Sequence, residues 1–529
     1  MSRTEQAPHE PTHPWRRGQG GRTRSMTMAA MLPLVLAAGC AVGPDFHLPR
    51  MPWTTSYSSK PLLDETASAD TAGGASQHFV TGADLPSQWW TLFRSESLTR
   101  LIEESLKASP TLESANAALR QAQELYHAQR GFFYPTVQAG FSPSRQRNAV
   151  NTLSPNLTSG VPTYNLYSSQ IGVGYTPDVF GANRRQVESL QASAEAQRFQ
   201  LYAAYVTLTT NIASAAIQEA GLRAQIAATE SIIEIQRDQQ RLLRRQLAAG
   251  AIARTDLVAQ EALLAQTLAT LPPLRKQLAQ QRNLLTALLG RLPAQEPLEQ
   301  FDLASLELPL ELPVSIPSKL VQQRPDIRAA EEQLHAASAQ IGVATANMLP
   351  TTTITAALGG VSTNFAQMFS AGNIFWSVGA SVAQTLFAGG SLRHRKKAAE
   401  AGYDQAAAQY RGTVISAFQN VADSLRALEF DAEALRAQVE AERAAAQSLE
   451  LANRAVTLGA SSRLSLLIAQ QTYQQALLSG AQVRATRYLD TVALFQALGG
   501  GWWNRADLLP ASAASTVRVI ARSPVLDSP

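Results

Sequence analysis

Two stretches of the chain keep a helical alternation of apolar and polar positions far longer than a globular core requires. The first runs from Asn183 to Gly250 without a proline, turns at Leu247-Ala-Ala-Gly250, and resumes from Asp256 to Gly290. The second runs from Ser391 to Gly459, turns at Thr457-Leu-Gly459, and resumes to Gly499. Both are rich in Ala, Gln, Leu, Arg and Glu and poor in β-branched residues, which favours helix. At a 1.5 Å rise per residue, roughly 67 residues make a rod of about 100 Å. A periodic pattern of that length points to a coiled coil or a helical assembly. Leu222, Ile226, Thr229, Ile233, Gln236, Gln240, Leu243 and Leu247 follow alternating four- and three-residue steps, a heptad seam. Its polar members, Thr229, Gln236 and Gln240, suit a ring of helices around a wet channel better than a solid coil.

Shorter elements precede each arm in the same order. Glu96–Lys107 carries Leu98, Leu101, Ile102 and Leu106 at helical spacing. Pro110 breaks it, and a second helix runs Thr111–Arg130 to a stop at Gly131. Pro135 opens a strand, Thr136–Arg147. A polar loop over 148–163 and an alternating run, Leu166–Tyr175, complete a hairpin. Then Pro325 opens a helix to Asn347, Pro350 opens a strand Thr351–Val361, and Ile374–Phe387 returns. Pro110 stands as far from Pro135 as Pro325 does from Pro350. The interval from Gly250 to Gly290 is likewise equal to that from Gly459 to Gly499. Arg254 and Arg463 fall at the same offset after their glycines. The chain is therefore an internal duplication, joined by a proline-rich linker. The organisation is a first repeat over 86–293, a linker over 294–320, a second repeat over 321–503 and a flexible tail over 504–529.

The amino terminus adds a location. Arg16, Arg17, Arg22 and Arg24 precede an apolar run from Met26 to Ala38, the layout of a secretory signal over 1–39. Arg16-Arg17 reads as plain positive charge before a twin-arginine signal. The run ends in Leu36-Ala-Ala-Gly-Cys40, close to a bacterial lipobox, and Cys40 is the only cysteine. Lipidation of Cys40 is expected, with residues 40–85 as an extended anchor segment that wraps rather than packs. The 45 basic and 41 acidic residues nearly balance, so nothing marks a nucleic-acid binder. The seven histidines are scattered, and no metal or cofactor is expected. No acid/base pair, nucleophile elbow or phosphate loop supports an enzyme.

After the signal, no run approaches the ~18 apolar residues of a membrane-spanning helix. A span must be built of strands, and four strands cannot close a barrel without leaving an edge in lipid. Several chains must therefore share one barrel: two would give eight strands and three would give twelve.

The sequence resembles the TolC-like outer-membrane efflux factors, in their lipoprotein (OprM/NodT-type) branch. The matching segments are Cys40-Ala-Val-Gly-Pro-Asp-Phe46, Trp89-Trp90, Ser109-Pro110, Tyr175-Thr-Pro-Asp-Val-Phe-Gly181 with Arg184-Arg185, Arg324-Pro-Asp-Ile327, Thr385-Leu-Phe-Ala-Gly-Gly390 and Ala497-Leu-Gly-Gly-Gly-Trp502. They run in order from Cys40 to about Trp503. The resemblance implies a mainly α, duplicated fold with four long-helix arms and four strands per chain. Three copies would form a twelve-stranded β-barrel in the Gram-negative outer membrane, set on an α-helical periplasmic tunnel. It also implies a passive efflux duct for drugs or other small molecules, partnered by a periplasmic adaptor and an inner-membrane pump. The tips, with Gly250, Ala251, Arg254 and Asp256 on one side and Gly459, Arg463 and Ser465 on the other, are expected to dock the adaptor. Leu464 and Ile468 occupy the positions of the family's constriction, where Ile468 replaces the usual Asp. Asp256 is the nearest tip carboxylate, and a helix-start Asp explains it equally well.

Arg184, Arg185, Arg393, Arg395, Lys396 and Lys397 begin the long helices, where positive charge opposes the helix dipole. Anionic lipid head groups are the expected offset. Two other readings stand beside the efflux duct: a duct for a type I protein secretion pump, and a periplasmic coiled-coil lipoprotein with no pore.

Overall fold

The structure is a computed structural model and describes residues 41–49, 54, 56–147 and 163–505. The expected signal peptide over 1–39, Cys40, the first hairpin loop and the chain beyond Arg505 lie outside the described residues. The chain divides into two units. One holds the residues up to Pro44 with Arg130–Gln186 and Ile341–Lys396; the other holds Asp45–Gln129, Val187–Gln340 and the chain from Lys397 onward.

The helices are α1 (Glu96–Ala108), α2 (Pro110–Arg130), α3 (Ala182–Ala248), α4 (Arg254–Leu288), α5 (Pro317–Gln323), α6 (Pro325–Ala346), α7 (Ser391–Thr457) and α8 (Arg463–Ala497). The duplication is kept in length: α3 and α7 each have 67 residues, and α4 and α8 each have 35. Local chemistry sets the ends. The Ser95 hydroxyl accepts from the Leu98 N–H at the start of α1, a side-chain cap. Pro110 sits in the first turn of α2, where its missing N–H costs nothing. α4 runs through Pro272 and Pro273, and both lie on its exposed side, where water can meet the carbonyls they leave unbonded.

Six strands are present among the described residues: β1 (His78–Thr81), β2 (Thr136–Arg147), β3 (Thr163–Tyr175), β4 (Glu311–Val314), β5 (Thr351–Ser362) and β6 (Ile374–Ala383). β2, β3, β5 and β6 form one antiparallel sheet in that order, so the two hairpins lie side by side through β3 and β5. β6 stops at Ala383, short of the expected Phe387, because its partner β5 begins at Thr351, opposite Ala383. The remaining two strands were not expected. β1 and β4 pair in parallel, His78 opposite Glu311 through Thr81 opposite Val314. The anchor segment therefore packs as well as wraps, and the linker is part of the core.

That core belongs to the second unit. It gathers Trp89, Trp90 and Phe93, the inner face of α1, and Tyr202–Ala220 of α3. Phe301, Leu306 and Leu312 of the linker join it, with Val421–Leu428 of α7, Tyr488–Ala497 of α8 and the Leu498 that follows it. Trp89, Trp90 and Phe93 are fully buried. Trp89 and Phe93 meet Phe495 tilted or edge-on, the geometry aromatic rings prefer. Half of the heptad seam is buried within the chain and the other half is partly exposed. Thr229, Ile233, Gln236 and Leu243 are buried between helices of the same chain, and the Gln260 side-chain amide donates to the backbone carbonyl of Gln236 at 3.4 Å. Two of the seam's polar positions are thus packed, Thr229 bonded back to the Gln225 carbonyl at 2.8 Å, while Gln240 is half-buried and donates to Glu261 at 3.2 Å.

Candidate functional site

The four-stranded sheet has two chemically different faces. Its register runs without a bulge, so residues paired across strands share a face. One face carries Val137, Ala139 and Phe141 of β2, Ile171 and Val173 of β3, Ile354, Ala356 and Leu358 of β5, and Ile374, Trp376, Val378 and Val382 of β6. The other carries Gln138, Gly140, Ser142, Gln170, Gly172, Thr355, Ser377 and Ser381. Nearly every large exposed hydrophobic of these strands lies on the first face: Val137 is 68% exposed, Trp376 76% and Val378 71%. Val361 is the exception. β3 has 13 residues and β6 has 10, enough for a tilted strand to cross a membrane, which takes about 9–11. β2 and β6 each pair on one side only, so the sheet ends in two open edges.

The helix-start cations divide. Arg184 is held by Asp178 at 3.3 Å, and the same carboxylate accepts the N–H groups of Asn183 and Arg184 at 2.9 and 2.8 Å. Asp178 thereby offsets the charge that opposes the α3 dipole, so no lipid is needed there. Arg185 is only 5% exposed and donates to the carbonyls of Val42 at 3.2 Å and Gly43 at 3.4 Å. It fixes the residues that follow Cys40, so the expected lipid contact at Arg185 is corrected to a buried structural role, while Arg184 stays partly exposed beside Asp178. A Cβ on Gly43 would lie 2.4 Å from the Gly342 Cα, so this crossing requires a glycine at Gly43. Arg393, Arg395 and Lys397 are exposed and Lys396 is half-buried.

The two tips are built alike. At the first, Ala251 N–H donates to the Gln246 carbonyl at 2.8 Å and Gly250 N–H to that of Leu247 at 3.0 Å. At the second, Ala460 donates to Ala455 at 2.8 Å and Gly459 to Val456 at 3.1 Å. Both are Schellman caps, and both glycines take the left-handed backbone conformation. Ser462 caps α8 through Ser465 N–H at 3.4 Å, whereas Ala253 gives α4 no such bond. Asp256 and Arg463 line one cleft of about 330 Å³ with Gln239, Leu243, Gln260 and Leu466, and Arg463 donates to Gln246 at 2.5 Å. Ala251, Arg254 and Ser465 are exposed. Leu464 and Ile468 sit one turn apart, 65% and 57% exposed, and are not among the residues that line this cleft.

One cluster had no signature in the sequence. Arg487 of α8 is fully buried and donates to Gln77 Oε1 at 3.2 Å, Thr66 Oγ1 at 3.0 Å and the carbonyls of Gly73 and Ala75 at 3.0 and 2.8 Å. Beside it, burial, then the hydrogen bond and charge of Asp490, push the Asp431 carboxyl up to about 7, against the pull of Arg487. An unfolded Asp titrates near ~3.9, so the folded chain holds this proton more tightly. Stability from this group is fully present below about pH 4 and is lost as pH rises to about 7. Asp431→Asn is expected to flatten the melting temperature between those values and to raise it at pH 8. Parallel pH profiles for the two proteins would remove Asp431 as the cause.

Among the described residues, no helix is long and apolar enough to cross a membrane, and no cluster of three His, Cys, Asp or Glu could hold a metal.

Residues 101–291 and 316–500 match the family model of the outer membrane efflux protein. The probable efflux pump outer membrane protein TtgC of Pseudomonas putida is 30% identical over 494 residues, covering 91% of this chain and 97% of its own. The outer membrane protein OprJ of Pseudomonas aeruginosa is 28% identical over 495 residues, covering 91% and 97%. Among solved structures, the outer-membrane channel OprN aligns at a TM-score of 0.77 and 30% identity, over 88% of this chain and 100% of that one. The outer membrane protein VceC of Vibrio cholerae aligns at 0.72 and 26%, over 79% and 99%. The family match falls on both copies of the duplicated unit and breaks at the joint between them, so the chain belongs to the outer membrane efflux protein family, as a passive channel of the Gram-negative outer membrane and not an enzyme.

Proposed function

We propose that three copies of this chain close one twelve-stranded barrel, β2 of each copy pairing with β6 of the next, and that the assembly passes small organic solutes out of the cell. The observation that carries this is the sheet with one apolar face and two open edges. Such an edge has unpaired backbone groups that lipid cannot satisfy, and only closure removes it. A barrel of twelve strands leaves the Gln, Ser, Thr and Gly face lining a hole wide enough for water. Cys40 carries the lipid anchor. The tip residues Gly250, Ala251, Arg254, Asp256, Gly459, Arg463 and Ser465 meet a periplasmic adaptor, which joins the duct to an inner-membrane pump. Drugs and similar small molecules are the cargo, in keeping with relatives named for antibiotic and toluene efflux.

Leu464 and Ile468 form the constriction. With three copies they present a ring of six exposed apolar side chains and no carboxylate, which closes by dewetting instead of by charge. Arg393, Arg395, Lys396 and Lys397 are the contacts of anionic head groups.

One experiment tests assembly and gate together. The protein extracted from outer membranes should have the mass of three chains and should be nearly silent in a planar bilayer. Leu464→Ser with Ile468→Ser should raise its conductance roughly ten-fold, as water enters the ring. A single-chain particle would refute the shared barrel; a three-chain particle equally silent with and without the serines would refute the gate.

A further inference from the structure

We propose that Arg145 and Arg147, at the loop end of β2, form a binding site for the phosphates of lipid A, the phosphorylated glycolipid of the outer leaflet. This rests on the barrel reading above, and it adds a ligand to the outer surface of that barrel.

The register makes the argument. β2 and β3 pair without interruption from Thr136 opposite Gly174 to Arg147 opposite Thr163. Arg145 and Arg147 therefore continue the column of Val137, Ala139, Phe141 and Pro143, on the apolar face and not on the polar one. Along that column the chemistry changes in steps. Val137 and Ala139 lie opposite Val173 and Ile171; Pro143 lies opposite Tyr167; Arg145 lies opposite Asn165. Phe141 and Tyr167 both pack edge-on against Phe365, at 6.0 and 5.8 Å between ring centres. Aromatic side chains of this kind mark the membrane interface. The next outward-facing position is about 7 Å further along the strand, which is head-group depth. This end of the sheet is the outer one by connectivity, because the opposite ends of all four strands lead to the helices.

Charge supplies an independent reason. Arg145 and Arg147 are the only charged residues in β2, β3, β5 and β6, and both fall on the face that meets lipid. Both are exposed, and neither makes an ion pair among the described residues. The strand end is held in register while they do so, with the Gln146 amide on the other face donating to the Tyr164 hydroxyl at 2.7 Å. Two guanidinium groups on alternate residues stand about 7 Å apart along the strand. Each can bind a phosphate through two parallel N–H bonds, which a single point charge cannot do. Lipid A carries two phosphates on one head group, whereas an ordinary phospholipid offers one.

The test uses the full-length protein purified in detergent, with native mass spectrometry as the readout. Added bis-phosphorylated lipid A should bind up to three per three-chain particle, roughly ten-fold tighter than the same lipid dephosphorylated and than phosphatidylglycerol. R145Q/R147Q should lose that preference, and R145K/R147K should keep part of it. Equal binding of all three lipids by the unaltered protein would overturn the site, and this arm stands even if a variant fails to assemble. A preference that survives R145Q/R147Q would overturn it as well. A three-chain particle with no preference sinks this inference alone, whereas a single-chain particle sinks the barrel reading and this inference with it.

Discussion

Val378→Arg should stop the chain from reaching the outer membrane as an assembled channel, while Ser377→Arg, one residue away, should not. Val378 lies opposite Ala356 and Ser377 opposite Ala357, so the two point to opposite faces of the same sheet. Val378 is 71% exposed in the single chain and sits in the middle of β6, on the face that the proposed barrel turns to lipid. An arginine on the lipid face near the bilayer centre costs about 2–4 kcal/mol. The proposed three-copy barrel would carry three such charges, about 6–12 kcal/mol in all, comparable to the whole stability of a domain. Ser377 lies on the polar face, which the proposed barrel turns inward, where an added cation would stay hydrated and change ion selectivity instead of insertion. Membrane fractionation with unboiled gel electrophoresis reads the assembled fraction, and bilayer recording reads the selectivity. Equal insertion of both variants, or equal failure of both, would show that the assignment of the two faces is wrong.

Arg487→Ala should destabilise the helical unit by about 3–5 kcal/mol, the usual result of breaking a buried, hydrogen-bonded charge network. The guanidinium makes four hydrogen bonds to the stretch from Thr66 to Gln77 and is fully buried. Its removal takes a donor from Gln77 and from two carbonyls, and takes away the cation that lowers Asp431. The anchor segment should then become the first site of limited proteolysis, with cuts between Thr66 and Gln77, and the melting temperature should fall. Arg487→Lys should rescue little, since an ammonium cannot reproduce the fork that reaches four acceptors. An unchanged melting temperature together with a protease-resistant segment would show that the strap is held by β1 and β4 alone.

The regularities that could be read from the residues are those set by near neighbours. The two long helices, their left-handed glycine caps and the hairpins each depend on residues a few positions apart. Repetition made them legible twice over. The open-edged sheet was legible by counting, since four strands cannot close in lipid. Site residues were harder. Arg184 and Arg185 resemble the exposed cations around Arg393 in sequence, yet Arg185 has its acceptors 142 and 143 residues away. The heptad seam showed where the helices pack and not what they pack against, so Gln236 was assigned to water when it is buried.

By itself, then, the sequence determined the long helices and their turns, the two hairpins, the duplication and a strand count too small for one chain to close, because hydrophobic period, proline and glycine act locally. Only the tertiary structure decided which polar groups are buried and which stay exposed. It buried half of the seam, drew Arg487 onto a strap 410 residues earlier in the chain, and carried Arg145 and Arg147 onto the apolar face by an unbroken register. Contacts at such separations depend on how the elements meet, and local propensity carries no record of that.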